Sequence, residues 1–139
     1  MNLIISGATS PLALEIITWA YGKGYNVYTF SRRLSGELTE LIDKQIIRKA
    51  FIADFSEDKQ ILDSVQKLSN CINKIDILIN NSCGWIADGI KNTSLDDIKY
   101  QINSSITGNI IFVKNTIPLL QNSNKPRIIN ICSTVGTGY

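Results

Sequence analysis

The sequence predicts an α/β fold, a doubly wound parallel sheet of about five strands with helices on both faces. Short runs rich in β-branched residues alternate along the chain with longer stretches whose apolar residues recur at helical spacing. The first of these runs, Leu3-Ile4-Ile5, passes through a turn of small residues, Ser6-Gly7-Ala8-Thr9-Ser10, straight into a helical pattern. No internal repeat or low-complexity tract interrupts the series, which leaves a βαβ succession as the simplest reading.

In chain order, strands are expected near residues 2–6, 25–30, 47–53, 75–79 and 127–132. The helices between them carry apolar stripes at Leu12, Ile16 and Ala20, at Leu34, Leu38 and Leu41, and at Ile61, Val65 and Leu68, each able to cover one face of a sheet. Gly22 and Gly24 suit the end of the first helix. Ser56 ahead of Glu57 and Asp58, and Ser94 ahead of Asp96 and Asp97, place a capping hydroxyl and early carboxylates where helix starts favour them. A long helix is expected from Ser94 to about Leu120, ended by Asn122-Ser123-Asn124-Lys125-Pro126. Its first half bears the stripe Ile98, Ile102 and Ile106, and Ile110-Ile111-Phe112-Val113 is apolar nearly all round. Such a helix should be covered on both sides, by the sheet on one and by a further segment or another subunit on the other.

The 139 residues fit one domain, residues 1–139, with enough length to bury most of its apolar surface. The formal net charge is +2, and the basic residues are scattered apart from Arg32-Arg33, which argues against broad nucleic-acid binding. The apolar stretches are short and broken, so neither a membrane span nor a signal peptide is expected. Cys71, Cys83 and Cys132 form no Cys-x-x-Cys pair, and a reducing cytoplasm fits this usage best, with no metal site expected. The chain contains no histidine, which closes off a Ser-His-Asp triad, a Cys-His pair and a His-ligated metal. Recognition of phosphate, sugar and nicotinamide stays open, because main-chain N–H groups, Asp, Asn, Arg and hydroxyls perform it.

At a strand-turn-helix of this kind the turn lets phosphate oxygens approach the main chain, and the new helix aims its free N–H groups and positive dipole end at them. Gly7, Ala8, Thr9 and Ser10 suit that role, or a simple tight turn. Pro11 fits the first helical turn but donates no N–H.

Taken in order, the motifs resemble the N-terminal part of a short-chain dehydrogenase/reductase, with its Rossmann-like fold. Ser6-Gly7-Ala8-Thr9-Ser10-Pro11-Leu12-Ala13 resembles the family's T-G-x-x-x-G-[IL]-G, matching the first glycine and Leu12 while Pro11 and Ala13 replace the later glycines. The resemblance implies cofactor contacts from Ser6, Gly7, Thr9, Ser10 and Leu12. Asp54 follows Phe51-Ile52-Ala53 where the family sets an Asp against the adenine amino group; a helix-capping role beside Ser56 is the alternative. Asn80-Asn81-Ser82-Cys83-Gly84 resembles N-N-A-G, implying that Asn80, Asn81 and Ser82 support the ribose side of the cofactor. Cys83 stands at the family's glycine, so either the backbone avoids positive φ there or Gly84 takes over the role. In Thr29-Phe30-Ser31-Arg32-Arg33, Ser31 replaces the acidic residue that would bind a ribose 2′-hydroxyl, and Arg32 and Arg33 suit a 2′-phosphate, so NADP(H) is expected over NAD(H).

Arg127-Ile128-Ile129-Asn130-Ile131-Cys132-Ser133-Thr134-Val135-Gly136 resembles the family's I-V-N-I-S-S-x-x-G and implies that Ser133 is the catalytic serine, which hydrogen-bonds the reacting oxygen. Counting back from Gly108 and Pro118, the family's proton-relay Asn falls on Ser105, with Asn103 two residues earlier, so a relay runs through a hydroxyl and water or is absent. Trp85 and Ile86 are candidate pocket walls or ordinary loop anchors. The family's Tyr-x-x-x-Lys acid/base motif has no match: Tyr139 comes too early, and the chain reads as stopping inside the catalytic region.

The resulting expectation is an NAD(P)-dependent oxidoreductase that reduces a carbonyl or oxidises a secondary alcohol by hydride transfer, inactive as these 139 residues alone. Its partners are expected to be a small-molecule substrate and further copies of itself through the 94–120 helix. The alternatives are a catalytically dead nucleotide-binding regulator, favoured by Pro11, Cys83 and Ser105, and the nonfunctional product of an interrupted gene.

Overall fold

The structure is a computed structural model that describes residues 1–86, 89 and 91–133. Strands β1 (Asn2–Ser6), β2 (Asn26–Ser31), β3 (Ile47–Ile52), β4 (Ile77–Asn80) and β5 (Arg127–Asn130) form one parallel sheet in the order β3-β2-β1-β4-β5. Helices α1 (Pro11–Gly22), α2 (Gly36–Asp43), α3 (Asp58–Ser69), α4 (Leu95–Ile102) and α5 (Gly108–Gln121) connect them, with a π-helical stretch, Asn103–Thr107, joining α4 to α5. The doubly wound parallel sheet expected from the sequence is therefore present. β4 and β5 are shorter than expected.

Alternation along β1 assigns side chains to the two faces. Leu3 and Ile5 pack with Ala13, Ile17, Ala20, Val27, Leu38 and Ile79. Ile4, on the opposite face, packs with Phe30, Phe51, Ile61, Val65, Leu68, Leu78 and Phe112. In the second cluster Phe30 stacks on Phe51 at 4.9 Å and meets Phe112 edge-on at 4.8 Å, which locks α5 against the centre of the sheet.

Several helix expectations are corrected. The buried stripe of α1 is Ala13, Ile17 and Ala20; of the expected Leu12, Ile16 and Ala20, Ala20 is buried, Ile16 is half-buried against the same cluster and Leu12 is exposed. Ser10 caps α1 by accepting the Ala13 N–H, and Gly24, at φ +80°, turns the chain out of it. Ser35 caps α2, so Leu34 lies outside that helix and is exposed. Ser56 does not cap α3: its N–H and hydroxyl both donate to Asp54 Oδ1, at 2.9 and 2.8 Å, and Glu57 occupies the cap position. Ser94 does cap α4, accepting the Asp97 N–H.

The expected continuous helix from 94 to 120 is interrupted by the π turn, and its apolar stripe faces away from the sheet. Of the expected stripe Ile98 is half-buried while Ile102 and Ile106 are 49 % and 57 % exposed, Ile110 beyond them is 62 % exposed, and Ser104, Gly108, Phe112, Thr116 and Leu120 make the buried face. The cause is close approach. A Cβ on Gly108 would collide with Phe55 O and lie 3.0 Å from Asn103 O, so at this position only glycine fits against the segment that follows β3.

Candidate functional site

The chain leaves β1 toward β2 and β3, then crosses back to β4 on the other side, so the winding reverses between β1 and β4. Open α/β sheets bind ligands at that reversal, beyond the carboxyl ends of their strands. A cleft of about 230 Å³ lies there, and its lining includes Gly7, Thr9, Ser10, Ser31, Arg32, Asp54, Asn81 and Ser82.

The turn after β1 is built by contact with the end of β4. Gly7 has φ +63°, and a Cβ on it would stand 2.5 Å from Asn81 O and 3.0 Å from Asn81 Nδ2. Both the backbone angle and the space demand glycine. Asn81 Nδ2 donates to Gly7 O and Ser10 Oγ, each at 3.0 Å, and to Ser6 O at 3.3 Å. The buried Ser6 hydroxyl in turn accepts the N–H groups of Asn81 and Ser82, at 3.0 and 3.1 Å. Ser6 and Asn81 are thus the fastening of the floor, while Thr9 and Ser10 line the cleft above it at the N-terminal end of α1.

The β2 and β3 side supplies charge. Ser31 donates its hydroxyl to Arg33 O at 2.8 Å, which folds the turn after β2. Arg32 is among the lining residues and Arg33 is not, so the pair is not equivalent. Asp54 Oδ1 accepts both the N–H and the hydroxyl of Ser56, and Asp54 is among the residues that line the cleft. Asp54 does not cap α3, whose cap position is Glu57; its carboxylate instead shapes the turn ahead of that helix.

Neither Cys83 nor Gly84 has positive φ. Gly84 is required for space instead, since a Cβ there would collide with Ser104 Oγ. Ser105 Oγ accepts the Gly84 N–H at 3.0 Å and contacts Gly84 O at 3.3 Å, so its hydroxyl is committed to the loop after β4. Asn109 escaped the sequence reading: its Nδ2 donates to Ser82 O and Ser105 O, each at 2.9 Å, and fastens that same loop to the π-helical stretch. Only the preceding Gly108 carried a motif, so nothing in the pattern marked it. Tyr100 and Ser104, which also line the cleft, were missed for the same reason.

Leu12 does not line the cleft, and Asn80 belongs to a separate groove with Ile110, Val113, Ile117 and Ile128. Asn80 donates its amide to Asn130 Oδ1 at 2.7 Å, tying β4 to β5. Ser133 is exposed beyond the end of β5, and Trp85 is exposed; Gly136 and Tyr139 lie outside the described residues. Among the described residues no group of Asp, Glu and Cys is arranged to hold a metal, and no helix is long and apolar enough to cross a membrane.

The family model for short chain dehydrogenase matches residues 2–139. The chain belongs to the short-chain dehydrogenase family. It is similar to a probable short-chain type dehydrogenase/reductase of Helicobacter pylori, with 25 % identity over 96 % of this chain and 48 % of that protein. It is also similar to a probable NADP-dependent dehydrogenase of Haemophilus influenzae, with 24 % identity over 96 % of this chain and 54 % of that protein. A solved short-chain dehydrogenase from Streptomyces avermitilis superposes with a TM-score of 0.85 at 19 % identity, over 97 % of this chain and 50 % of that one, which shows the shared fold. The chain spans about half the length of these relatives.

Proposed function

We propose that the protein is an NADP(H)-dependent oxidoreductase acting on a small carbonyl compound or secondary alcohol, with the cofactor in the cleft between the ends of β1 and β4. The observation that carries this reading is the donor set of the cleft: hydroxyls of Thr9 and Ser10 at a helix N-terminus, a guanidinium from Arg32 and a carboxylate from Asp54 within one lining. That set suits a dinucleotide in order, with the pyrophosphate at α1, a 2′-phosphate at Arg32 and an adenine amino group at Asp54. The nicotinamide, when bound, supplies the hydride. Ser133 is the hydroxyl for the reacting oxygen, and Ser105, at the position of the relay Asn, holds the loop after β4 at Gly84. The similarity to a protein named as a probable NADP-dependent dehydrogenase supports the same cofactor.

The acid/base pair of the family is not among these 139 residues, so they are expected to bind cofactor without turning over substrate. Calorimetry tests the cofactor: NADPH binds more tightly than NADH, and Arg32→Ala with Arg33→Ala removes the preference. Equal affinity for the two would overturn it. Steady NADPH oxidation with a ketone panel, lost in Ser133→Ala, would reveal another proton donor. The exposed ridge Ile102, Ile106 and Ile110 supports self-association through this helical segment, and the cysteine usage supports a cytoplasmic setting.

A further inference from the structure

Tyr100, on α4, faces the turn after β2 across the mouth of the cleft. Its hydroxyl accepts a hydrogen bond from Arg32 Nη1 at 2.6 Å, and the guanidinium carbon lies 6.0 Å from the ring centroid. The contact is a directed hydrogen bond at the ring's edge of reach for a cation–π pair.

The two partners differ in freedom. The Tyr100 ring is half-buried and sits against Gly84, where a Cβ would come within 2.9 Å of Tyr100 Cε1. Arg32 is a long, exposed side chain. The packed ring therefore sets where the guanidinium stands. Arg33, next in sequence, is outside the lining of the cleft.

We infer that Tyr100 is a positioning residue that holds Arg32 over the cleft and so determines selectivity for an adenosine nucleotide phosphorylated at the 2′-oxygen. This rests on the cofactor reading above. A guanidinium has five N–H donors in a rigid fork; Tyr100 occupies one and leaves the others to grip a phosphate. Holding a rotamer-rich side chain in advance removes ordering entropy that binding otherwise costs. Gly84 is part of the device, because any side chain there displaces the ring that aims Arg32.

The test is calorimetry on the full chain with adenosine 2′,5′-bisphosphate and adenosine 5′-monophosphate as probes, which differ only in the 2′-phosphate. Tyr100→Phe removes the hydroxyl acceptor and keeps the ring. It is expected to weaken the bisphosphate by about threefold to tenfold and to leave the monophosphate unchanged. In an Arg32→Ala background the same substitution is expected to change neither. Equal loss for both probes, no loss for the bisphosphate, or an undiminished loss without Arg32 each overturn the inference. Wild-type protein that binds both probes equally also overturns it while leaving the nucleotide site standing, whereas failure to bind either probe removes the cofactor reading itself. Thermal unfolding of each variant separates a lost contact from a lost fold.

Discussion

β1 and β5 are short apolar strands of one parallel sheet, yet Ile4 and Ile5 are fully buried while Ile128 and Ile129 remain 45 % and 40 % exposed. β1 has β2 and β4 as neighbours, α1 on one face and the Phe30, Phe51 and Phe112 cluster on the other. β5 pairs with β4 alone, and among the described residues no strand lies on its outer edge. Beside it Ile110, Val113 and Ile117 line an apolar groove with Ile128. The difference teaches that a strand's composition reports the surroundings it is suited to, and only its neighbours decide whether it has them. An open parallel edge beside an apolar groove is a surface that association covers.

The sharpest test of this comparison is the same truncation in both strands. Ile4→Ala is expected to cost about 2–5 kcal/mol, and Ile128→Ala no more than about 0.5 kcal/mol in the isolated chain. Urea unfolding measures both, and similar losses would mean that β5 is covered in solution.

The carboxyl end of β1 can be broken where it meets β4. Gly7→Ala forces a side chain into a positive-φ position and against Asn81, and is expected to cost about 1–3 kcal/mol and to abolish nucleotide binding. Unchanged stability with retained NADPH binding would show that the turn relaxes freely.

The opposite end of the sheet is fastened by Asp76. Its carboxylate accepts the Asn2 N–H at 2.7 Å and the Ser123 hydroxyl at 2.6 Å and lies 3.5 Å from Lys74 Nζ, joining β1 to the connection that leads into β5. Burial pushes its pKa up, but the hydrogen bonds and the Lys74 ammonium outweigh burial and hold it below the ordinary value. A carboxylate depressed in the folded state adds stability that is present above its unfolded pKa and lost as pH falls through its folded one. Stability should therefore drop on acidification below about pH 4, with Asp76→Asn removing about 1 kcal/mol at neutral pH and flattening that drop. Denaturant midpoints across the acid range read this directly, and an unaltered acid limb would exclude Asp76 as a contributor.

The smallest effect on stability and the clearest on assembly is expected from Ile110→Lys. It leaves the fold within about 0.5 kcal/mol while shifting light scattering from associated species toward monomer. A monodisperse wild-type monomer at high concentration that binds no hydrophobic dye would show that the groove needs no cover.

How far the sequence carried depends on the range of the interaction. Strand order along the chain, the cap at Ser94, the terminator at Gly24 and the glycine at Gly7 were legible because each follows from local backbone chemistry. The placement of Thr9, Ser10, Arg32, Asp54 and Asn81 around one cleft also followed, since a right-handed βαβ series brings all strand ends to the same side. The phase of α1, the outward turn of Ile102 and Ile106, the spacing role of Gly84, the fastening by Asn109 and the hold of Tyr100 on Arg32 were settled only by the tertiary structure. Each depends on which backbones approach within a side chain's width across the fold, and apolar periodicity is blind to that distance: it marks a helix that has a buried face, while the small residues Ala13, Ser104 and Gly108 decide which face it is.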